Sequence, residues 1–536
     1  QTLCGGPKQL QTLQKMNDKK LQKPLLHDAG GNACAEFSPA PAQREMRALR
    51  WTCSLCTCCC LCFGVMSSQL SRASKSSLET FSYELSQSVE KHAPGPVSDE
   101  RSAIPVAYIH GGPKPPSRHL DWLVRICTDL YEGPNCSNAS SWAGTVNLLI
   151  NGEYFNDVRL ETRGHVSKLF PKLQFNAKLP AKRSILGLPP SRRFIIAMSF
   201  VDTSFQRNPT AFDIYRATGG WAPEVRYVQL KWHGEDFGLY TFTQFIKHGP
   251  VGEELAAPTK HPASTEYMLA VDWTEEGGTP MSFSTTGVTF NIVYPPAKYL
   301  TSAHLEYVQS IVDTVDAAAA ARHSADQARI LEGIVDFESF ARYFVTEELA
   351  VDIDGYAFSN FIMLRHGRLY HGPPWDFDLA FGFVCIDICM KNIITGRVEL
   401  DSIHGWNVEN VRDSYLWISD EGWPSGVIKS FGMNRRQFFF NLWQHPGFRA
   451  RFRELWHTMR QGLLTDEALT GMITTRSSFI EAAAVNDINL WQHTERCAFF
   501  ECCHPDDQKS FQASAHRLSD FLLRRAAWID SQVESL

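Results

Sequence analysis

No long basic run occurs in the 536-residue chain, and its formal charge is only −6. The charge pattern therefore gives no sign of nucleic acid as the main partner. No long membrane span is evident either. The apolar run from Trp51 to Met66 is short against the roughly 20 residues a bilayer helix needs, and suits a signal h-region. No doubly wound βαβ pattern precedes the acidic motifs described below, which counts against a nucleotide-sugar domain. What the chain does have is 44% hydrophobic and 12% aromatic residues. That is the composition of a folded protein large enough for more than one lobe.

The fifteen cysteines are unevenly placed. Cys53, Cys56, Cys58, Cys59, Cys60 and Cys62 crowd the apolar run, while Cys127/Cys136, Cys385/Cys389 and Cys497/Cys502/Cys503 form local groups. The local groups suit short-loop disulfides of an oxidising compartment, the alternative being buried free thiols. Asn135-Cys136-Ser137 and Asn138-Ala139-Ser140 are adjacent glycosylation sequons. With Arg47 and Arg50 before the uncharged segment and Arg72 and Lys75 after it, they favour the secretory lumen or the cell exterior.

The expected organisation is a low-order segment at 1–45, a signal peptide or signal-anchor at 46–71, and a linker at 72–103. A β-rich lobe follows at 104–250 and a helical lobe at 251–536. Strands are expected at Pro105–Ile109, Thr145–Ile150, Val158–Thr162, Gln174–Leu179, Arg193–Met198, Val225–Trp232 and Leu239–Phe245, with an Asn151-Gly152 hairpin turn. Later, Leu305, Val308, Ile311, Val312 and Val315 share a helical face. Asp336 caps a helix carrying Phe337, Phe340 and Phe344. Phe448, Phe452, Leu455 and Met459 form another stripe, and Leu518, Leu522 and Ala526 a last one. All of these stripes read as core.

The densest constellation runs from Val351 to Phe383. A helix ends in the acidic turn Asp352-Ile353-Asp354-Gly355-Tyr356, Asn360 opens a hairpin, and Trp375-Asp376-Phe377-Asp378 forms a second acidic turn. Phosphoryl transfer needs a carboxylate near the acceptor hydroxyl and hard oxygen ligands for a phosphate-bridging cation. Asp354 suits the first role, Asn360 and Asp376 the second. The alternative is that these are acidic turn residues capping a helix and a hairpin.

This run resembles the signature of the spore-coat protein H (CotH) kinase family. Other pieces agree in order: Arg163-Gly164-His165-Val166-Ser167, Pro171-Lys172-Leu173-Gln174-Phe175, Asp202 to Asn208 and Gly238-Leu239-Tyr240. The resemblance covers about residues 104–536. It implies an α+β, atypical two-lobed kinase-like fold, with an antiparallel β-rich N-terminal lobe and a mainly helical C-terminal lobe. It also implies use of ATP with Mg²⁺ or Mn²⁺, on Ser/Thr of secreted or cell-surface proteins, the chain itself included. Position by position, Asp354 would be the catalytic carboxylate, Asp376 the main metal ligand, and Asn360 and Asp378 supporting ligands. The Arg163-Gly164 turn would cover the phosphates, and Lys172 would reach them or stand as a solvated strand lysine. Asp202 and Arg207 would line the cleft or pair with each other. Gln244 departs from the family's usual Glu, which opens a nucleotide-binding pseudokinase or a secreted scaffold as alternatives. Asp376-Phe377-Asp378 is also formally a DxD element, which leaves a glycosyltransferase as a further alternative. A glycosidase using Asp354 and Asp376 stands behind these.

Overall fold

The computed structural model describes residues 104–115, 141–164, 166–249, 252–272, 278–321, 325–352, 354–382, 403–409, 436–491 and 510–536. The signal-like run, the linker, both sequons and all of the cysteines lie outside the described residues.

Period-two alternation in the first half produces seven strands: β1 (Val106–His110), β2 (Ala143–Ile150), β3 (Glu153–Thr162), β4 (Phe175–Arg183), β5 (Ser191–Met198), β6 (Val225–Trp232) and β7 (Glu235–Gln244). They close into a barrel ordered β1-β2-β3-β4-β5-β7-β6. All its pairs are antiparallel except β1 with β6. Val158 and Leu160, Ala177 and Leu179, and Phe194 and Ile196 alternate inward to fill it, together with Trp232. The turns at Asn151-Gly152 and His233-Gly234 have positive φ at both residues, 50° and 78°, then 49° and 84°. That is the geometry whose twist matches the flanking strands. Because the second turn consumes only two residues, β7 begins at Glu235, earlier than the alternation suggested.

Helix α1 (Arg207–Ala217) interrupts the strands between β5 and β6. Beyond the barrel come α2 (Ser302–Ala320), α3 (Ala325–Ile334), α4 (Phe337–Ala350), α5 (Gln437–Trp443), α6 (Pro446–Arg460), α7 (Asp466–Leu490) and α8 (Phe511–Gln532). They share one core with a five-stranded sheet. Its strands are β8 (Tyr267–Val271), β9 (Thr279–Ser282), β10 (Thr289–Tyr294), β11 (Asn360–Arg365) and β12 (Arg368–His371), ordered β12-β11-β8-β10-β9. The chain is thus α+β, and the second half carries a five-stranded sheet of which only the hairpin opened by Asn360 was expected. Strand β8, Tyr-Met-Leu-Ala-Val, is buried at every position. A short apolar run without alternation gives no period to read.

The apolar stripes of α6 and α8 are buried as expected. The Asp336 Oδ1 atom caps α4 by accepting from Ser339 N–H at 2.8 Å. No helix among the described residues is long and apolar enough to cross a membrane.

Barrel and helices are clasped by one buried pair. Lys172 Nζ meets Asp487 Oδ2 of α7 at 2.5 Å, and both side chains are fully enclosed. Lys172 also donates to Leu239 O at 2.7 Å, and Asp487 Oδ2 accepts from Leu239 N–H at 2.7 Å. Gly238 is required beside them, since its φ is +84° and a Cβ would overlap the Asp487 carboxylate. Removing one partner strands a buried charge. We expect Asp487→Ala to lose about 3–5 kcal/mol in equilibrium unfolding. The double variant Lys172→Met/Asp487→Leu should recover most of that loss. Recovery no better than the single variant would show that the clasp acts through shape rather than charge.

Candidate active site

Two acidic turns are set on opposite sides of one hairpin. Helix α4 ends at Val351, which adopts a left-handed φ of 48° and donates its N–H to Glu347 O at 2.8 Å. The chain reverses there, and Asp354 O then accepts from Ala357 and Phe358 N–H at 3.0 and 2.9 Å. β11 and β12 pair from Ile362/His371 to Arg365/Arg368 through the His366-Gly367 turn. The chain returns into Trp375-Asp376-Phe377-Asp378.

The second turn is held from three sides. Phe381 N–H donates to Ala350 O at 2.6 Å, tying the turn to the end of α4. Arg207 Nε donates to Ala380 O at 3.0 Å, and Asn208 Oδ1 accepts from Phe377 N–H at 2.7 Å. Arg207 also pairs with Asp202, whose other oxygen accepts the Arg207 N–H at 3.0 Å. Asp202 and Arg207 thus pair with each other, and the same arginine braces the second acidic turn.

Ser359 joins the two turns, donating from Oγ to Asp376 Oδ2 at 3.3 Å. Tyr356, Ser359, Asp376 and Phe381 all carry positive φ, at 63°, 53°, 71° and 56°. Strained non-glycine residues cluster where the surroundings over-determine them, a pattern common at functional sites.

The Arg163-Gly164 turn comes to the same place. The Arg163 guanidinium lies 5.2 Å from the Trp375 ring centroid and lowers the proton affinity of Asp376. Gly164 has φ +93°, and a Cβ on it would overlap the Ser167 hydroxyl. Ser167 Oγ in turn accepts from Gln174 Nε2 at 2.9 Å.

Electrostatically the site is a knot of carboxylates. Burial raises Asp354 to about 6, with Asp376 adding to the rise and Arg436 opposing it. Burial raises Glu347 to about 8, offset by Tyr343 and Arg436. Asp352 and Asp378 are pushed well above the usual carboxylate range by burial and by their acidic neighbours. Burial raises Asp376 as well, with Arg163, Ser359 and Asp378 opposing the rise, but it is exposed at the surface and solvent moderates the effect.

Two observations bear on a cation. Asn360 is fully buried and spends its Nδ2 on Phe358 O at 2.6 Å, leaving Oδ1 with no hydrogen-bond partner. Among the described residues no three His, Cys, Asp or Glu side chains close into a ready metal cage.

The structure therefore gathers Asp354, Asn360, Asp376, Asp378 and Arg163 around these turns, with Asp202 and Arg207 behind the second. Lys172 and Gln244 are differently engaged. Lys172 is not a solvated strand lysine but is enclosed against Asp487. Gln244 Oε1 accepts Glu224 N–H at 2.8 Å, so it serves the β6–β7 edge. The carboxylate facing Lys172 thus comes from residue 487. Sequence reading also passed over Glu347, Ser359 and Arg436, and it quoted Asn208 only as part of a motif. Glu347 left a signal: the Glu347-Glu348 pair lies in the buried C-terminal half of α4.

Two braced acidic turns and the Arg163 guanidinium thus meet at one place. The chain belongs to the CotH kinase protein family, whose model matches residues 160–529. A comparison with curated proteins finds no match.

The raised groups set a pH dependence. Glu347 and Asp354 bind protons more tightly in the folded chain than in the unfolded one, so stability falls as pH rises from about 4 to about 8. Melting temperature measured from pH 5 to 8.5 should show this decline. Glu347→Gln should flatten it, and an unchanged slope in that variant would remove Glu347 as its source.

Proposed function

We propose that this protein is a metal-dependent kinase that transfers the γ-phosphate of ATP to Ser/Thr hydroxyls of secreted or cell-surface proteins, itself included. The observation that carries the reading is the meeting of Arg163, Asp376 and Asp354 at two turns joined by Ser359.

In this reading Asp354 accepts the proton of the acceptor hydroxyl as its oxygen bonds to the γ-phosphorus and the bond to the β-phosphate oxygen breaks. A group raised only to about 6 is largely ionised at neutral pH and can act as a base. Asp376, Asn360 and Asp378 would hold Mg²⁺ or Mn²⁺, which neutralises charge on the phosphates when bound. The Arg163-Gly164 turn lies over the second acidic turn and supplies a cation there. The Lys172–Asp487 pair removes one objection raised by Gln244, because a carboxylate faces this lysine without residue 244. The glycosyltransferase alternative loses ground to the topology. The described sheets are antiparallel apart from the β1–β6 pair, with no βαβ nucleotide-sugar layer among them. The luminal or extracellular setting rests on the apolar run, the cysteines and the sequons alone.

The test is transfer from ATP with Mg²⁺ or Mn²⁺ to generic protein substrates and to the chain itself. Asp354→Ala and Asp376→Ala should each lower transfer by about 10²-fold or more. Nucleotide-dependent stabilisation should survive Asp354→Ala and fail in Asp376→Ala. Transfer that persists in both variants would overturn the assignment. Stabilisation by nucleotide without transfer would favour the pseudokinase.

A further inference from the structure

Strand register places three cations side by side on the outside of the barrel. Arg159 of β3 lies opposite Lys178 of β4, and Lys178 lies opposite Arg193 of β5. Their neighbours Val158, Leu160, Ala177, Leu179 and Phe194 point into the barrel core. The three cations therefore point outward, and all are exposed. Directly opposed side chains in a sheet stand about 5 Å apart at Cβ, and like charges so placed destabilise it.

The surrounding charges do not cancel the row. Glu161 pairs with Arg159 at 2.5 Å. Among the described residues no carboxylate pairs with Lys178 or Arg193, and the Arg193 guanidinium rests 5.3 Å from the Phe245 ring centroid. Further along β4, by contrast, Lys182 is paired with Glu254 at 3.0 Å and Arg183 with Glu153 at 3.2 Å. A chain of net charge −6 thus keeps two cations of the row, Lys178 and Arg193, without a carboxylate partner among the described residues at one defined place.

That place is connected to the acidic turns. Arg159, Glu161 and Arg163 alternate along β3 and its continuation and so share the outer face. Arg163 is the residue that reaches Trp375 and Asp376. Four residues of strand separate the two ends, about 13 Å. An extended peptide covers that distance in about four residues.

Building on the kinase reading above, we propose that Arg159, Lys178 and Arg193 form a docking row for an acidic segment of the protein substrate. Its carboxylates lie at least about four residues from the acceptor hydroxyl, because four residues of strand already separate Arg159 from Arg163. The row selects substrates by charge, while the acidic turns carry out the transfer.

The experiment uses the full chain and peptide pairs identical except for Asp/Glu or Asn/Gln around four residues to either side of one Ser. Transfer is followed for the wild type and for Lys178→Glu/Arg193→Glu. Fluorescence anisotropy at low and high salt reads peptide binding separately. Three exposed ion pairs should favour the acidic peptide by about tenfold in KM. Charge reversal should abolish that preference while KM for ATP and turnover of the neutral peptide stay unchanged. Equal use of both peptides by the wild type, or a preference that survives charge reversal, overturns the docking row. If no peptide is phosphorylated, anisotropy still decides. Salt-sensitive binding of the acidic peptide that the variant loses supports the row and counts against the kinase reading alone. Absence of such binding counts against the row. A single-stranded oligonucleotide of equal charge that binds the row more tightly than the acidic peptide also overturns the proposal.

Discussion

The Glu348 carboxylate, enclosed at the end of α4, is the junction through which the acidic turns and the last helices are assembled. Its Oε1 accepts from the Tyr356 hydroxyl and the Val408 N–H, each at 2.9 Å. Its Oε2 accepts from Asn407 N–H at 2.5 Å and from Arg525 of α8 at 3.2 Å. Arg525 spends its remaining donors on the carbonyls of Glu348, Ile403 and Gly405. Burial pushes the Glu348 carboxyl up, and Arg525 with the two backbone N–H groups pulls it back. A buried ion pair is tolerable when hydrogen bonds satisfy what the partner charge leaves over. Here the network is complete, and one of its arms is the tyrosine that follows Asp354-Gly355. The last helix of the chain thus positions the first acidic turn.

Around that junction the site is rigid and electrostatically unfavourable at once. The second turn is pinned by Arg207, Asn208 and the end of α4, and the first by Tyr356. The carboxylates they present repel one another and resist ionisation. Such an arrangement lowers the stability of the empty protein and raises its affinity for anything that brings positive charge. In the kinase reading proposed above, a divalent cation bridging phosphates would answer this need. Arg163, arriving from the barrel above Trp375, adds a fixed cation at the exposed end.

Much of this was legible in one dimension. Seven strands, the first hairpin turn and the main apolar stripes follow from periods of two and 3.6 and from the Asn151-Gly152 pair. The two acidic turns and the Asn between them are local motifs, so their residues could be named directly. Of the sheet from β8 to β12 only the β11–β12 hairpin was legible, because β8 is apolar at every position and β9 is only four residues long. Helix α1 was missed for a related reason, being nearly buried and without a strong polar face.

The sequence by itself determined the family, the α+β composition and the chemical identity of the acidic turns, since each depends on residues close together in the chain. The tertiary structure alone decided that Asp487, 315 residues from Lys172, supplies its carboxylate. It also decided that Gln244 serves a strand edge, that Arg207 and Asn208 brace the second turn, and that three cations from separate strands stand in one row. Those assignments depend on strand register and helix docking. Long-range packing fixes both, and no local pattern of residue types encodes them.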